Sequence, residues 1–219
     1  MKTKNVKDRP NELIRYCEAH TTAASEVLYR LERETHLRTL SPQMLSGHLQ
    51  GQLLRLLSTM IQPRLALEIG TFTGYSAICI AGGLAPGGIL HTIEANAELS
   101  YIIEKYVAEA GLADRIQLHV GNALEIVSTL DGPFDLVWID AGKLDYADYF
   151  DMVFDKVSPG GYILADNVLW SGKVIAENRD ADTQALHEFN QKIHADPRVE
   201  NIILPIRDGI LLARKRPTA

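Results

Sequence analysis

Apolar positions along this chain follow two rhythms, and the change comes at Leu65. Beyond it, short apolar runs alternate with longer helix-like stretches, which predicts an α/β fold with a mostly parallel sheet covered by helices on both faces. The runs Leu65–Ile69, Ile89–Ile93, Ile116–Val120, Phe134–Ile139 and Tyr162–Ala165 are expected to be strands. Between them the spacing is amphipathic, as in Ile102, Ile103, Tyr106, Val107 and Ala110, with Gly111 where a helix C-cap falls. Two further runs, Val199–Leu204 and Ile210–Ala213, flank a segment ending in Asp208-Gly209, a hairpin signal that predicts an antiparallel pair at the end of the sheet. Before Leu65 the spacing is helical. Leu13, Cys17, Val27, Leu28 and Leu31 predict one helix or two, and Leu49, Leu53, Leu56, Leu57 and Met60 another, with breaks at Pro42 and Pro63. The expectation is one domain over residues 1–219, with 1–62 as a helical cap and 63–219 as an α/β core.

Composition agrees with this pattern. At 219 residues and 46% hydrophobic, the chain is long enough to bury a full core. No run approaches the ~20 apolar residues of a membrane span, and the first residues lack the apolar stretch of a secretory signal, so a soluble, cytoplasmic protein is expected. Cys17 and Cys79 sit in helix-like apolar surroundings without metal-ligand spacing and are expected to be buried thiols. The net charge of -6 provides no electrostatic footprint for nucleic acid, and the basic run Arg214-Lys-Arg216 is expected to be a solvated tail.

In open α/β sheets ligands gather at the C-terminal ends of the strands, so the residues leaving each strand carry the chemistry. The first strand runs into Glu68-x-Gly70-x-x-x-Gly74-x-Ser76, where the glycines allow a tight turn and close approach to a ligand before a helix N-terminus that favours anionic groups. Phe72 and Tyr75 occupy glycine positions of the dinucleotide fingerprint, which disfavours NAD. No P-loop Lys-Ser/Thr follows, and Ile78 replaces the closing glycine of a hydrolase nucleophile elbow. Glu94, at the end of the second strand, is placed to accept both hydroxyls of a ribose; the competing role is a solvated glutamate. Gly121-Asn122-Ala123, after the third strand, offers a place for an adenine.

The fourth and fifth strands end in Asp140 and in Asp166-Asn167. Two carboxylates and an amide oxygen suit Mg²⁺, Mn²⁺ or Ca²⁺ rather than zinc, although a turn or helix cap is the alternative for Asp166-Asn167. A cation held there would bind two neighbouring substrate oxygens and lower the pKa of one hydroxyl. Lys143, three residues after Asp140, is the candidate general base. Trp170 reads equally as a lid aromatic over a flat substrate or as a core residue.

Taken in order, Leu67-Glu-Ile-Gly-Thr-Phe-Thr-Gly-Tyr-Ser76, Val137-Trp-Ile-Asp-Ala-Gly-Lys143, Gly160-Gly-Tyr-Ile-Leu-Ala-Asp-Asn-Val-Leu-Trp-Ser-Gly172 and Leu204-Pro-Ile-Arg-Asp-Gly-Ile210 resemble the cation-dependent O-methyltransferases of the caffeoyl-CoA and catechol type, in a bacterial-like branch. The resemblance, over about residues 44–214, implies a class I S-adenosylmethionine (SAM) methyltransferase: a Rossmann-like three-layer sandwich whose seven-stranded sheet is mostly parallel with an antiparallel last pair. It implies a homodimer acting on a hydroxylated aromatic small molecule. Metal ligation would fall to Asp140, Asp166 and Asn167, and the catalytic roles to Lys143 with Asp140. Cofactor contacts would fall to Glu68, Gly70, Thr71, Ser76, Glu94, Ala95, Asn122, Ala123 and Asp140, with Met44 and Ser46 in a segment that closes over the methionine end of SAM. Trp170 and Ser171 match the acceptor side; Ser171 stands where the plant pattern tends to have Asn, and Gly142 where it has a second Asp. Plant-like acyl-CoA specificity therefore does not carry over. The competing functions are a tRNA 5-hydroxyuridine O-methyltransferase with the same metal site, which the acidic balance disfavours, and a non-catalytic SAM-binding module, which needs neither Lys143 nor the metal ligands.

Overall fold

The computed structural model describes residues 10–217. Three helices come first: α1 (Pro10–Ala19), α2 (Glu26–Arg38) and α3 (Gly47–Ile61). The sheet and its connecting helices follow as β1 (Leu65–Ile69), α4 (Tyr75–Ala81), β2 (Ile89–Glu94), α5 (Ser100–Glu109), β3 (Ile116–Val120), α6 (Ala123–Thr129), β4 (Phe134–Ile139), α7 (Tyr146–Phe154), β5 (Val157–Ala165), α8 (Ala181–Ala195), β6 (Val199–Leu204) and β7 (Ile210–Lys215). The seven strands lie in the order β3-β2-β1-β4-β5-β7-β6. Every pair is parallel except β5 with β7 and β7 with β6.

Both sheet faces are buried, which is why the central strands read as nearly continuous apolar runs. Successive side chains alternate between two clusters: Leu67, Ile69, Val137, Ile139, Ile163 and Ala165 pack towards α6, α7 and α8, while Ala66, Leu136, Trp138 and Leu164 pack towards α2 to α5. Reversal of strand order beside β1 opens a crevice at the carboxyl ends of β1, β2 and β4.

Five local outcomes differ from the sequence pattern or resolve it. The run Arg214-Lys-Arg216 is not a solvated tail: Arg214 and Lys215 are half-buried at the end of β7, where Lys215 Nζ donates to the Phe154 and Val157 carbonyls. The first apolar group forms two helices, separated where Ser25 caps α2 by accepting from the Leu28 amide. Cys79 is buried, but Cys17 is exposed on α1, because that helix covers little of the core and its face stays in solvent. In α3 the buried positions are Gln50, Gly51, Leu54 and Ser58, whereas Leu56 and Met60 are exposed. The helix turns this face inward because Gly51 permits close contact with α4: a Cβ there would lie 2.5 Å from the Tyr75 ring. Finally, β5 begins at Val157 rather than Tyr162, reached through an irregular register opposite Phe134 to Leu136.

Candidate active site

At the exit of β1 the chain comes so close to the exit of β4 that a Cβ on Gly70 would lie 2.0 Å from the Asp140 carbonyl oxygen. Gly70 also has φ +98, a left-handed conformation natural to glycine. Asp140 donates its amide to the Ile69 carbonyl at 2.8 Å, and Gly70 donates to Ile93 at 3.0 Å, so three strand ends are tied together. Phe72, at φ +52, turns its amide onto Glu94 Oε2 at 2.7 Å, and the Asn96 amide donates to Glu94 Oε1 at 2.8 Å. Each carboxylate oxygen thus has one amide donor and keeps lone-pair capacity for hydroxyls.

Glu68 lies beneath this loop, fully buried. Its Oε2 accepts the Thr92 hydroxyl, which itself meets Thr71 Oγ1, while Oε1 has no hydrogen-bond partner among the described residues. Burial pushes the carboxyl up to about 8, partly offset by the nearby hydroxyls of Ser76 and Thr92. Asn122 Oδ1 accepts the amides of Leu124 and Glu125, so this residue caps α6 as well as lining the cavity.

Asp140 and Asp166 leave adjacent strands. Asp166 is 3% exposed; its Oδ1 accepts the Asn167 amide at 2.7 Å and its Oδ2 accepts Gln50 Nε2 at 2.6 Å. Burial first, and the negative charge of Asp140 second, push its carboxyl above the usual carboxylate range. A pair of crowded carboxylates next to the Asn167 amide is an oxygen donor set that a hard divalent cation fits and whose repulsion it would relieve. No group of three His, Cys, Asp or Glu suited to a metal occurs among the described residues, because the third donor here is an amide.

Lys143 follows on a short 3-10 turn, Lys143–Asp145. Its Nζ donates to Asp140 Oδ1 at 3.1 Å and to the Tyr146 hydroxyl at 2.8 Å. Tyr146 in turn donates to the Asp166 carbonyl at 3.1 Å, and burial pushes its hydroxyl well above its ordinary value, so it remains a neutral phenol that fixes the lysine. Lys143 Nζ lies 5.9 Å from the centre of the Trp170 ring. Trp170 lines the cavity and packs on the core edge. Asn167, Trp170 and Ser171 all have positive φ, between 45 and 58. This strain is concentrated where the loop meets the β6–β7 hairpin: Val168 and Leu169 donate to the Gly209 and Asp208 carbonyls, and Ser171 donates to Asp208 Oδ1 at 3.2 Å.

One cavity of about 830 Å³ joins these parts. Met44, Ser46, Gly70, Thr71, Ser76, Glu94, Ala95, Asn122, Ala123, Asp140, Lys143, Asn167 and Trp170 line it. Glu68, Asp166 and Ser171 do not: the first two are buried and Ser171 is exposed. The helix after Gly74 has only seven residues, and the Phe72 and Asn96 amides, not its N-terminus, hold the nearby Glu94 carboxylate. Gln50, Tyr146, Tyr149, Arg207 and Asp208 received no role from the sequence. A signal existed for Gln50, a polar residue in helical register with Leu54 and Ser58, but the stronger leucine stripe on the other face concealed it.

A family model described as O-methyltransferase matches residues 18–216. The chain is 36% identical over 174 residues to a catechol O-methyltransferase of Niastella koreensis, covering 75% of this chain and 79% of that protein. It is 35% identical over 179 residues to caffeoyl-CoA O-methyltransferase 1 of Eucalyptus globulus, covering 76% and 72%. Among solved structures, the O-methyltransferase TomG of Streptomyces achromogenes, involved in tomaymycin synthesis and determined with SAM, superposes with a TM-score of 0.88 at 33% identity, covering 97% of this chain and all of that one.

Proposed function

The chain belongs to the O-methyltransferase family, whose members use SAM, and from that premise we propose that it methylates one hydroxyl of a catechol-like small molecule with the help of a divalent cation. The observation that carries the proposal is the single cavity with Glu94 at one end and Asp140, Asn167 and Lys143 at the other.

At the cofactor end, Glu94 would receive the ribose hydroxyls, with Ala95, Asn122 and Ala123 around the base and Gly70, Thr71, Ser76, Met44 and Ser46 along the methionine portion. Glu68 would support the loop from below. The opposite end would hold Mg²⁺, Mn²⁺ or Ca²⁺ through Asp140, Asp166 and Asn167. Such a cation supplies positive charge that acidifies a hydroxyl and orients a neighbouring oxygen. Lys143 would accept the proton of that hydroxyl, held in place by Asp140 and Tyr146. Trp170 would cover a flat ring, and Ser171 would shape the acceptor side through Asp208. We extend the same proposal to a single domain over the whole chain, a homodimer and a cytoplasmic location; among the described residues no helix is long and apolar enough to cross a membrane.

Incubation with labelled SAM and a panel of catechols, singly hydroxylated phenols, hydroxycinnamoyl esters, flavonoids and bulk tRNA tests the acceptor class. Label is expected in acceptors with vicinal oxygens and in neither phenol nor RNA. Equal labelling of phenol and catechol, or preferential labelling of the tRNA, would overturn it.

A further inference from the structure

Asp166 is held from a distance. Its gripping partner, Gln50, lies 116 residues earlier in the first turn of α3 and is fully buried. The amide has one available orientation: arginine offers only donors and an ionised carboxylate only acceptors, so Gln50 Oε1 must face Arg207 and Nε2 must face Asp166. Arg207 Nη1 donates to Gln50 Oε1 at 3.0 Å. The same nitrogen donates to the Leu45 and Ser46 carbonyls in the segment directly before α3, and Met44, Leu45 and Ser46 line the cavity. Arg207 sits at φ +50 in the β6–β7 hairpin, whose tip is hydrogen-bonded to the loop that follows Asp166. The ring of contacts therefore closes: cavity wall, guanidinium, buried amide, carboxylate, loop, hairpin, guanidinium.

We propose that Gln50 is a positioning residue for Asp166, and that Arg207 links this grip to the Met44–Ser46 wall so that cofactor and cation each favour the binding of the other. The inference rests on the divalent-cation reading of Asp140, Asp166 and Asn167. Its physical basis is the orientation of a ligand carboxylate by an outer hydrogen bond, an arrangement whose loss weakens metal affinity by about 10–100-fold. Ordering of residues 44–46 over a cofactor stiffens the carbonyls that anchor Arg207, and this reaches Asp166 through one side chain. By linkage the coupling must be equal in both directions.

Calorimetric titration of Mg²⁺ into the full chain, with and without saturating S-adenosylhomocysteine, tests it without turnover. The natural sequence is expected to bind Mg²⁺ about fivefold or more tightly in the presence of S-adenosylhomocysteine. Gln50→Met, similar in volume but without the hydrogen bonds, is expected to lose about tenfold in Mg²⁺ affinity. Arg207 is an exposed residue whose guanidinium meets the buried Gln50 amide, so its replacement tests the coupling. Arg207→Met should abolish the gain that S-adenosylhomocysteine gives, whereas Arg207→Lys should restore much of it. Unchanged Mg²⁺ affinity in Gln50→Met, or an intact gain in Arg207→Met, overturns this inference alone. Absence of Mg²⁺ binding to the natural sequence overturns it together with the metal reading beneath it.

Discussion

The two ends of the cavity are built on different principles. At the cofactor end the decisive contacts are short in sequence: the Phe72 amide reaches Glu94 over 22 residues, and the Asn96 amide over two. At the proposed cation end Gln50 reaches Asp166 over 116 residues and Arg207 reaches Gln50 over 157. The first end is a pair of neighbouring strand exits that set each other's geometry. The second needs the N-terminal helices, the fifth strand and the terminal hairpin to be assembled together, and much of its backbone strain lies in the loops joining them. The proposed cofactor end is thus built largely from local contacts, and the proposed cation end from contacts that span the whole fold.

Substitutions can pull the two ends apart. The largest effect is expected at Lys143→Met, which should lower kcat by about 10²–10⁴-fold while Mg²⁺ and S-adenosylhomocysteine affinities stay near their original values. Steady-state rates with calorimetry check this, and a kcat within a few-fold of the original would remove Lys143 from proton transfer. Next comes Glu94→Gln, expected to weaken S-adenosylhomocysteine binding by about 10–100-fold, as removal of a charge-assisted hydrogen bond does. Mg²⁺ binding without cofactor should not respond; if it falls equally, the ends are not separable.

Gly70→Ala acts where the ends meet. Its new Cβ faces the Asp140 carbonyl in a left-handed backbone, so a cost of about 2–3 kcal/mol and a Tm lower by roughly 5–10 °C are expected, with both ligands weakened. A thermal melt coincident with that of the original chain would contradict the close approach of β1 and β4.

The last expected effect is a pH slope. The Glu68 carboxyl is raised from 4.5 to about 8 in the folded state, so the folded chain holds a proton that the unfolded chain releases. This contribution to stability is fully present below pH 4.5, declines as pH rises, and is gone above about 8. Glu68→Gln should flatten the fall in Tm across that window in ligand-free protein. A slope unchanged by the substitution would mean that Glu68 is ionised in the fold.

What was legible in the sequence follows the same division. Strands β1, β3, β4 and β6 match their apolar runs to the residue: in β1 and β4 burial on both faces writes itself into consecutive positions, while the edge strands β3 and β6 keep apolar residues among exposed polar ones. Glycine and acid at the strand exits pointed to the cavity, since strand ends are adjacent by topology once the parallel order is known. The inward face of α3 was not legible. Its leucines outnumber its buried residues, and only packing of Gly51 on Tyr75 decides which side turns inward. Cys17 misled for a related reason: amphipathic spacing predicts a helix, not that anything covers it. The roles of Gln50, Arg207 and Tyr146 depend on contacts that no local pattern encodes.

The central claim, that Asp140, Asp166 and Asn167 form a cation site that activates the acceptor hydroxyl, has one direct measurement. Methyl transfer from labelled SAM to a catechol is followed after dialysis against EDTA and during back-titration with Mg²⁺, for the natural chain and for Asp140→Ala. Turnover should fall to background on chelation and return with Mg²⁺ in the natural chain, and should remain about 10³-fold or more below it in Asp140→Ala at every Mg²⁺ concentration. Turnover that is indifferent to EDTA and survives in Asp140→Ala would contradict the account.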